Sequence, residues 1–426
     1  MNLPWARLFF QILSQMKANE SFHIMTKPAG PLCNLDCTYC FYLEKTKLFP
    51  SNHAFKMSDA ILEAYIRGYI EAQPRREVSF AWQGGEPTLA GLPFFKKVVA
   101  LQARYAGGKR IENAFQTNGT LLTDEWCEFL KANNFLVGIS IDGPQHLHDA
   151  YRLNRKGHGT YRQVVRGIEL CKKHGVEFNT LTVVNAKNVQ YPLEVYRFLR
   201  EIGSQYIQFI PLLERRADSD SNQLGLGLSH PPDLSGAASL HFEPEVTDWS
   251  VPAGALGDFY CKIFDRWVSR DVGRVYVQLF DVTLGKWVGA PGGVCMYAET
   301  CGRALAMEHN GDLYACDHYV YPRYRLGNVM NQSIASMVDS QQMREFGEAK
   351  RSRLPRQCRE CEVLFCCNGD CPKHRFARTR DGEYGVSYLC AGLKRFFKHS
   401  GPAMKTMAEL YRNRRSPMEI MQAQNK

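Results

Sequence analysis

Between residues 22 and 214, strand-like apolar runs alternate six times with stretches of helical period. Phe22-His23-Ile24-Met25 reads as a first strand that ends at Pro28 and Gly30. Ser58 is placed to cap a helix whose apolar positions, Ile61, Leu62, Tyr65, Ile66 and Tyr69, fall three and four apart. Val78 to Trp82 is a second strand and Leu92 to Tyr105 a helix. Ala114-Phe115-Gln116 ends a third strand, and Thr123 caps a helix with Asp124 and Glu125 in its first turn, where negative charge suits the dipole. Strands Leu136 to Ile141, Phe178 to Val184 and Tyr206 to Ile210 then alternate with helices Tyr161 to His174 and Pro192 to Glu201, which Gly175 and Gly203 stop. Such alternation demands a parallel sheet covered by helices, an α/β class. An open doubly wound sheet and a partial barrel fit it equally, and both put chemistry at the carboxyl ends of the strands.

Cysteine is the second constraint. The 426 residues include 15, at positions 33, 37, 40, 127, 171, 261, 295, 301, 316, 358, 361, 366, 367, 371 and 390. The number is odd, and the apolar patch Leu8-Phe9-Phe10, Ile12-Leu13 lacks the long core and cleavage site of an export signal. A disulfide framework is therefore not expected, and clustered thiols in a reducing compartment point to metal. The expected location is the cytoplasm, with no membrane partner, because no run of 18 apolar residues occurs. Hydrophobic residues at 45% and charged residues at 23% exclude a disordered chain. The net charge of +10 would attract acidic partners, but there is neither a basic stripe with interleaved aromatics nor a paired-His zinc spacing, so nucleic acid is not an expected partner.

Cys33, Cys37 and Cys40 form C-x3-C-x2-C directly after the first strand. Three thiolates can hold three irons of a four-iron, four-sulfur cluster and leave the fourth iron open to a small molecule. A zinc site completed by a residue such as His53 is the alternative. Gly84-Gly85-Glu86-Pro87 follows the second strand, Gln116-Thr117-Asn118-Gly119 the third, and Ser140 lies on the fourth before Asp142-Gly143-Pro144. With Phe41-Tyr42 after the third cysteine, this set resembles the radical S-adenosylmethionine (SAM) superfamily. The resemblance implies a partial (β/α)6 TIM-type barrel, SAM chelated by the open iron, and a 5′-deoxyadenosyl radical made by one-electron cleavage.

From Cys295 to Cys390 there are nine more cysteines, many glycines and little periodicity, which suggests a small domain organised by metal rather than by a large core. Leaving out Cys366, eight ligands suffice for two four-cysteine clusters or a pair of zinc sites. Their order resembles the SPASM extension of radical SAM peptide-modifying enzymes. That implies a first auxiliary cluster on Cys295, Cys301, Cys316 and Cys371, and a second on Cys358, Cys361, Cys367 and Cys390, hence three four-iron clusters with the barrel's own. Cys367 is preferred to Cys366 because it keeps the x5 and x3 spacings, and Cys127 and Cys171 read as buried small hydrophobes. Eleven thiolates with three cores of about +2 sum to about −5, which would lower the net charge to about +5.

Asp317 directly follows Cys316, and this pair resembles that of the anaerobic sulfatase-maturating enzymes, as do Cys40-Phe41-Tyr42-Leu43-Glu44, Trp82-Gln83-Gly84-Gly85-Glu86-Pro87 and Ile207-Gln208-Phe209-Ile210-Pro211. The resemblance spans about residues 22 to 395. It implies oxidation of an active-site Cys or Ser of a sulfatase polypeptide to Cα-formylglycine. In that scheme the deoxyadenosyl radical takes a hydrogen from Cβ, Asp317 accepts the proton, and the first auxiliary cluster takes the remaining electron. It also implies SAM contacts at Tyr42, Gly84, Gly85, Ser140, Arg152 and Leu213, and a peptide contact at Gln83. The expected division is an N-terminal extension (1–21), the radical SAM barrel (22–216), a long loop or linker (217–256), a bridging segment (257–290), the SPASM domain (291–395) and a C-terminal helix with a frayed basic tail (396–426). Alternatives are a SPASM maturase forming thioether or carbon–carbon cross-links, and a non-enzymatic iron–sulfur electron carrier or zinc scaffold. A small acidic ferredoxin or flavodoxin is the expected electron donor.

Overall fold

The computed structural model describes residues 17–50, 54–233, 245–290 and 293–423. The Leu8 to Leu13 patch and His53 lie outside the described residues. Seven strands run parallel: β1 (His23–Thr26), β2 (Glu77–Trp82), β3 (Arg110–Thr117), β4 (Phe135–Ser140), β5 (Phe178–Val184), β6 (Tyr206–Pro211) and β7 (Tyr276–Val277). Helices α1 (Asp59–Ala72), α2 (Leu92–Tyr105), α3 (Asp124–Ala132), α4 (Tyr161–Lys173), α5 (Pro192–Glu201) and α6 (Ala253–Arg270) connect them in turn. The Ser58 and Thr123 side chains cap α1 and α3 by accepting from Ile61 N and Trp126 N.

Strand order decides between the two architectures. A doubly wound sheet reverses at a switch point, whereas here each connection steps to the adjacent strand in one direction. Right-handed crossovers then put every helix on one face, and the sheet curls into a partial barrel. Ile24, Phe80, Trp82, Phe115, Val137, Ile139 and Ile207 are buried under the helices. Met25, Ala114, Gln116, Ser140, Leu181 and Gln208 alternate with them, face the barrel interior and stay half-buried.

The cysteine-rich region is not the separate, core-poor unit expected from its sequence. β8 (Ala304–Met307) pairs parallel with the free edge of β1, with Thr26 opposite Met307, and β9 (Asp312–Tyr314) and β10 (Arg325–Asn328) extend one ten-stranded sheet. The buried core runs unbroken from Ala18 to Ile420. Leu305-Ala306-Met307, at most 1% exposed, is too short a run for periodicity to reveal, yet it caps an edge that would otherwise stand open.

Three further expectations need adjustment. Helix α6 starts at Ala253, inside the presumed linker, and ends at Arg270. The 217–233 stretch holds a short helix, Ser219–Gln223, and is anchored: Glu44 accepts from Gly227 N and Leu228 N at 2.9 and 3.0 Å, and Lys47 donates to Gly225 O at 2.7 Å. Through residue 423, the last one described, the tail is not frayed. After α7 (Gln278–Val288), helix α8 (Cys390–Arg412) packs on α6, and the chain turns back through a capping box at Ser416 and Glu419 to bury Ile420. Helices α6 and α8 touch at glycines, since a Cβ on Gly257 would lie 2.9 Å from Gly392 Cα. That contact fixes Cys390, the first residue of α8.

Candidate active site

Three loops meet at the carboxyl end of the barrel. The cysteine loop after β1 is hydrogen-bonded to the segment after β2: Gly85 N donates to Gly30 O at 3.0 Å and Glu86 N to Leu32 O at 2.8 Å. Glu86 is fully buried and ties this segment to the one after β3, accepting from Thr117 Oγ1 and Asn118 N at 2.8 Å each. Asn118 Nδ2 reaches Cys33 Sγ at 3.6 Å and donates to Asn34 Oδ1 at 2.8 Å. Cys33 and Cys37 pack with Leu35, Tyr39 and Leu212 in a small core against which Cys40 lies.

The residues expected to serve chemistry converge beside that loop. Asp317 begins a short turn after Cys316 and accepts a hydrogen bond at Oδ2 from the Tyr42 hydroxyl. Gln83 Nε2 donates to the same hydroxyl at 3.4 Å. Lys27 Nζ lies 2.7 Å from Asp317 Oδ1 and donates to Glu308 Oε1 at 2.8 Å. Burial favours the neutral acid at Asp317, but Lys27, helped by His318 and Tyr42, outweighs it and holds the carboxyl below its usual range. Ser140, at the end of β4, accepts from Gln116 Nε2 at 3.2 Å inside the barrel. Arg152 is turned inward, with Nε 2.9 Å from Asp142 Oδ2, which also accepts from Tyr39 Oη at 2.5 Å. Leu213 is buried in the main core, and its neighbour Leu212 is the one that joins the cysteine loop.

The sulfurs fall into three sets. Burial, then the neighbouring sulfurs and carboxylates, push the Cys33 and Cys37 thiols up to about 12 and Cys40 to about 11. Cys316 lies within electrostatic reach of Cys371, Cys301 and Cys295, and Cys371 of Cys301 and Cys295. Cys358, Cys361, Cys367 and Cys390 line one cleft with Val363 and Leu364. Cys366 is buried in the main core instead, and the Cys127 and Cys171 thiols share a hydrogen bond between α3 and α4.

Comparison with known proteins matches residues 28–199 to the radical SAM superfamily and 295–362 to an iron–sulfur cluster-binding domain, SPASM. A serine-type anaerobic sulfatase-maturating enzyme of Bacteroides thetaiotaomicron is 48% identical over 404 residues, 95% of each chain. The chain belongs to the anaerobic sulfatase-maturating enzymes. A cysteine-type member from Clostridium perfringens is 31% identical over 90% of this chain and 98% of its own. The structure of anSMEcpe with bound AdoMet and the Cp18Cys peptide superposes with a TM-score of 0.77 at 30% identity, over 91% of this chain and 99% of that one. Streptococcus suis SuiB shares the fold at 14% identity and a TM-score of 0.56.

As a member of that family the chain is a radical SAM oxidoreductase of sulfatase maturation, with four-iron, four-sulfur clusters and SAM as cofactors. The donor sets fit such groups. Among the described residues no three Cys, His, Asp or Glu side chains converge on a single metal ion. The sulfurs of each set are neighbours that do not meet at one point. The raised pKa values of Cys33, Cys37, Cys40, Cys316 and Cys371 state the cost of buried thiolates, which a cationic iron–sulfur core would relieve. Beside the Cys295 set sits the fully buried Lys350, whose ammonium donates to the Cys295 and Met296 carbonyls at 2.8 Å rather than to a carboxylate. A four-thiolate cluster, with a net charge of about −2, would supply the missing counter-charge.

Lys27 and Glu308 escaped the sequence reading. Each follows a strand end, where barrel chemistry belongs, but 281 residues separate them and no motif joins them. Gly85 also gains a reason: a Cβ there would strike the Leu32 carbonyl. Gly85→Ala is therefore expected to displace the cysteine loop, to cost about 1–3 kcal/mol in denaturant unfolding, and to weaken SAM binding about tenfold or more by calorimetry.

Proposed function

We propose that this enzyme oxidises a Ser side chain of a sulfatase polypeptide to Cα-formylglycine, or a Cys side chain to the thioaldehyde that water then hydrolyses to it with release of sulfide, with Asp317 as proton acceptor. The observation that carries the reading is the convergence of Asp317, Tyr42 and Gln83 at the barrel mouth, one residue from Cys316 and beside the three-cysteine loop. Cys33, Cys37 and Cys40 would hold the SAM-binding cluster, with SAM contacted by Tyr42, Gly84, Gly85, Ser140, Arg152 and Leu213. Cys295, Cys301, Cys316 and Cys371 would hold a second cluster, and Cys358, Cys361, Cys367 and Cys390 a third. When bound, these groups supply a 5′-deoxyadenosyl radical that takes hydrogen from substrate Cβ, and an acceptor for the electron left behind.

The protein's own part is positioning and proton handling. Gln83 is placed to orient the peptide and the Tyr42 hydroxyl together. Asp317 must accept the thiol or hydroxyl proton at hydrogen-bond distance. Its Oδ2, which accepts from the Tyr42 hydroxyl, is the oxygen offered for that task, because Lys27 holds Oδ1. The serine-type relatives are the more similar ones, at 48% and 39% identity against 31% for a cysteine-type member, and they favour serine as a target.

The test uses anaerobically reconstituted protein, SAM, a reductant and peptides carrying Cys or Ser in a Cys/Ser-x-Pro-x-Arg motif, followed by mass spectrometry. An aldehyde product supports the proposal. A thioether or carbon–carbon cross-link would move the assignment to the other peptide maturases, and absence of 5′-deoxyadenosine would overturn it. The net charge of +10 favours an acidic ferredoxin or flavodoxin as electron donor. Reduction by such a donor is expected to slow by about tenfold or more between low and physiological salt. A rate indifferent to ionic strength would dismiss electrostatic steering.

A further inference from the structure

One deeply buried charged group of the site, Lys27, belongs to none of the motifs. Lys27 is the first residue after β1, its backbone N donating to Met307 O at 2.9 Å, and Glu308 is the first residue after β8. Because Thr26 and Met307 are paired in register, the two side chains leave adjacent strands at one level. Both are 1% exposed. The Lys27 ammonium is held between two carboxylates, 2.8 Å from Glu308 Oε1 and 2.7 Å from Asp317 Oδ1, with the Tyr42 ring centroid 5.0 Å away. Glu308 Oε2 in turn lies 3.5 Å from the buried His309 Nδ1. The route to this position is kept clear by Gly84, where a Cβ would sit 2.9 Å from Lys27 Cβ.

Asp317 itself stands on a three-residue turn with no side-chain cap. Its two oxygens are fixed only from outside that turn, Oδ1 by Lys27 and Oδ2 by Tyr42. Tyr42 is the contact that a substrate hydroxyl or thiol must compete with or join. Lys27 engages the other oxygen of the carboxylate, Oδ1, and leaves Oδ2 to Tyr42. A buried carboxylate stripped of its cation is strongly disfavoured in place, so without Lys27 it would rotate from the productive direction.

We infer that Lys27, braced by Glu308, is the positioning residue of the proton acceptor, holding the Asp317 carboxylate with Oδ2 turned to the substrate. This rests on the reading of Asp317 given above. It makes the strand pairing between barrel and cysteine-rich region part of the site's alignment.

The experiment compares wild type with Lys27→Met, Lys27→Ala, Glu308→Gln, Asp317→Asn and the Lys27→Met/Asp317→Asn double variant, all as anaerobic holoenzymes. Lys27→Met is expected to lower kcat for aldehyde about 100-fold, with peptide KM changed by less than about threefold. Peptide-dependent 5′-deoxyadenosine should persist, so that its ratio to aldehyde rises about tenfold or more. Glu308→Gln should give the same uncoupling at about tenfold lower kcat. Ethylammonium should restore part of the activity of Lys27→Ala, and ethanol should not. A fluorescent Ser→Ala peptide should bind all variants alike by anisotropy, with iron content unchanged. The double variant should be no worse than Asp317→Asn alone, as for residues that act in series. A parallel fall of aldehyde and deoxyadenosine with loss of iron, a double variant markedly worse than Asp317→Asn, or full coupling in Lys27→Met would each overturn the inference. If Asp317→Asn itself made aldehyde normally, the proton-acceptor reading would fail on its own, whatever Lys27 did.

Discussion

Asp317→Asn is expected to cut formylglycine formation by about 10² to 10⁴-fold while peptide-dependent 5′-deoxyadenosine continues. Asparagine keeps the shape of the side chain and can still meet Tyr42, and Lys27 keeps Glu308 as its counter-ion. What is lost is a place for the proton. The loss should be larger with a serine peptide than with a cysteine peptide, because an alcohol is far less acidic than a thiol of pKa about 8.5. Quantifying both products by mass spectrometry for the two peptides checks this. Equal loss of both products would mean that Asp317 serves hydrogen abstraction or folding rather than proton transfer.

Removing the barrel cysteines together, as Cys33→Ala/Cys37→Ala/Cys40→Ala, is expected to abolish SAM cleavage and leave the other sites loaded. Iron per chain should fall from about twelve to about eight, at four irons per cluster. The geometry supports such independence. The loop sulfurs pack in their own small core with Leu35 and Leu212, while Cys295, Cys316, Cys358, Cys367, Cys371 and Cys390 are held by short turns of the cysteine-rich region and by the start of α8. Iron analysis together with deoxyadenosine assay decides it. Surviving cleavage would exclude the three-cysteine loop as the SAM-binding site, and a fall to near zero iron would mean that the three sites assemble as one.

Much of the fold could be read from the sequence because the barrel obeys local rules. Leu92–Tyr105, Phe178–Val184 and Pro192–Glu201 occupy the residues their periodicity indicated, and Ser58 and Thr123 cap as their side chains suggested. The motifs were legible for the same reason, since each is a short continuous run after a strand. What escaped was non-local. The three apolar residues of β8 carry no period, and only the exposed edge of β1 gives them a partner. Lys27 and Glu308 are an unremarkable Lys and Glu in sequence, and become a pair only through that register. Ser416 and Glu419 carry a local cap signature, and that cap, not the positive charge of Arg412, Arg414 and Arg415, sets the path of the tail.

The pairing of β1 with β8 also bears on how the polypeptide is made. A ribosome releases β1 early, and its edge then waits for some 280 residues before the strand that covers it emerges. Until that moment the nascent barrel offers an unpaired strand edge to any neighbour, a known route to aggregation. Asp317, the proposed proton acceptor, arrives ten residues after β8 ends, so on that reading a chain interrupted anywhere upstream would carry the cysteine loop without the means to complete turnover. Biosynthesis thus delivers the radical-generating half first and withholds the productive half until the closing strand has docked.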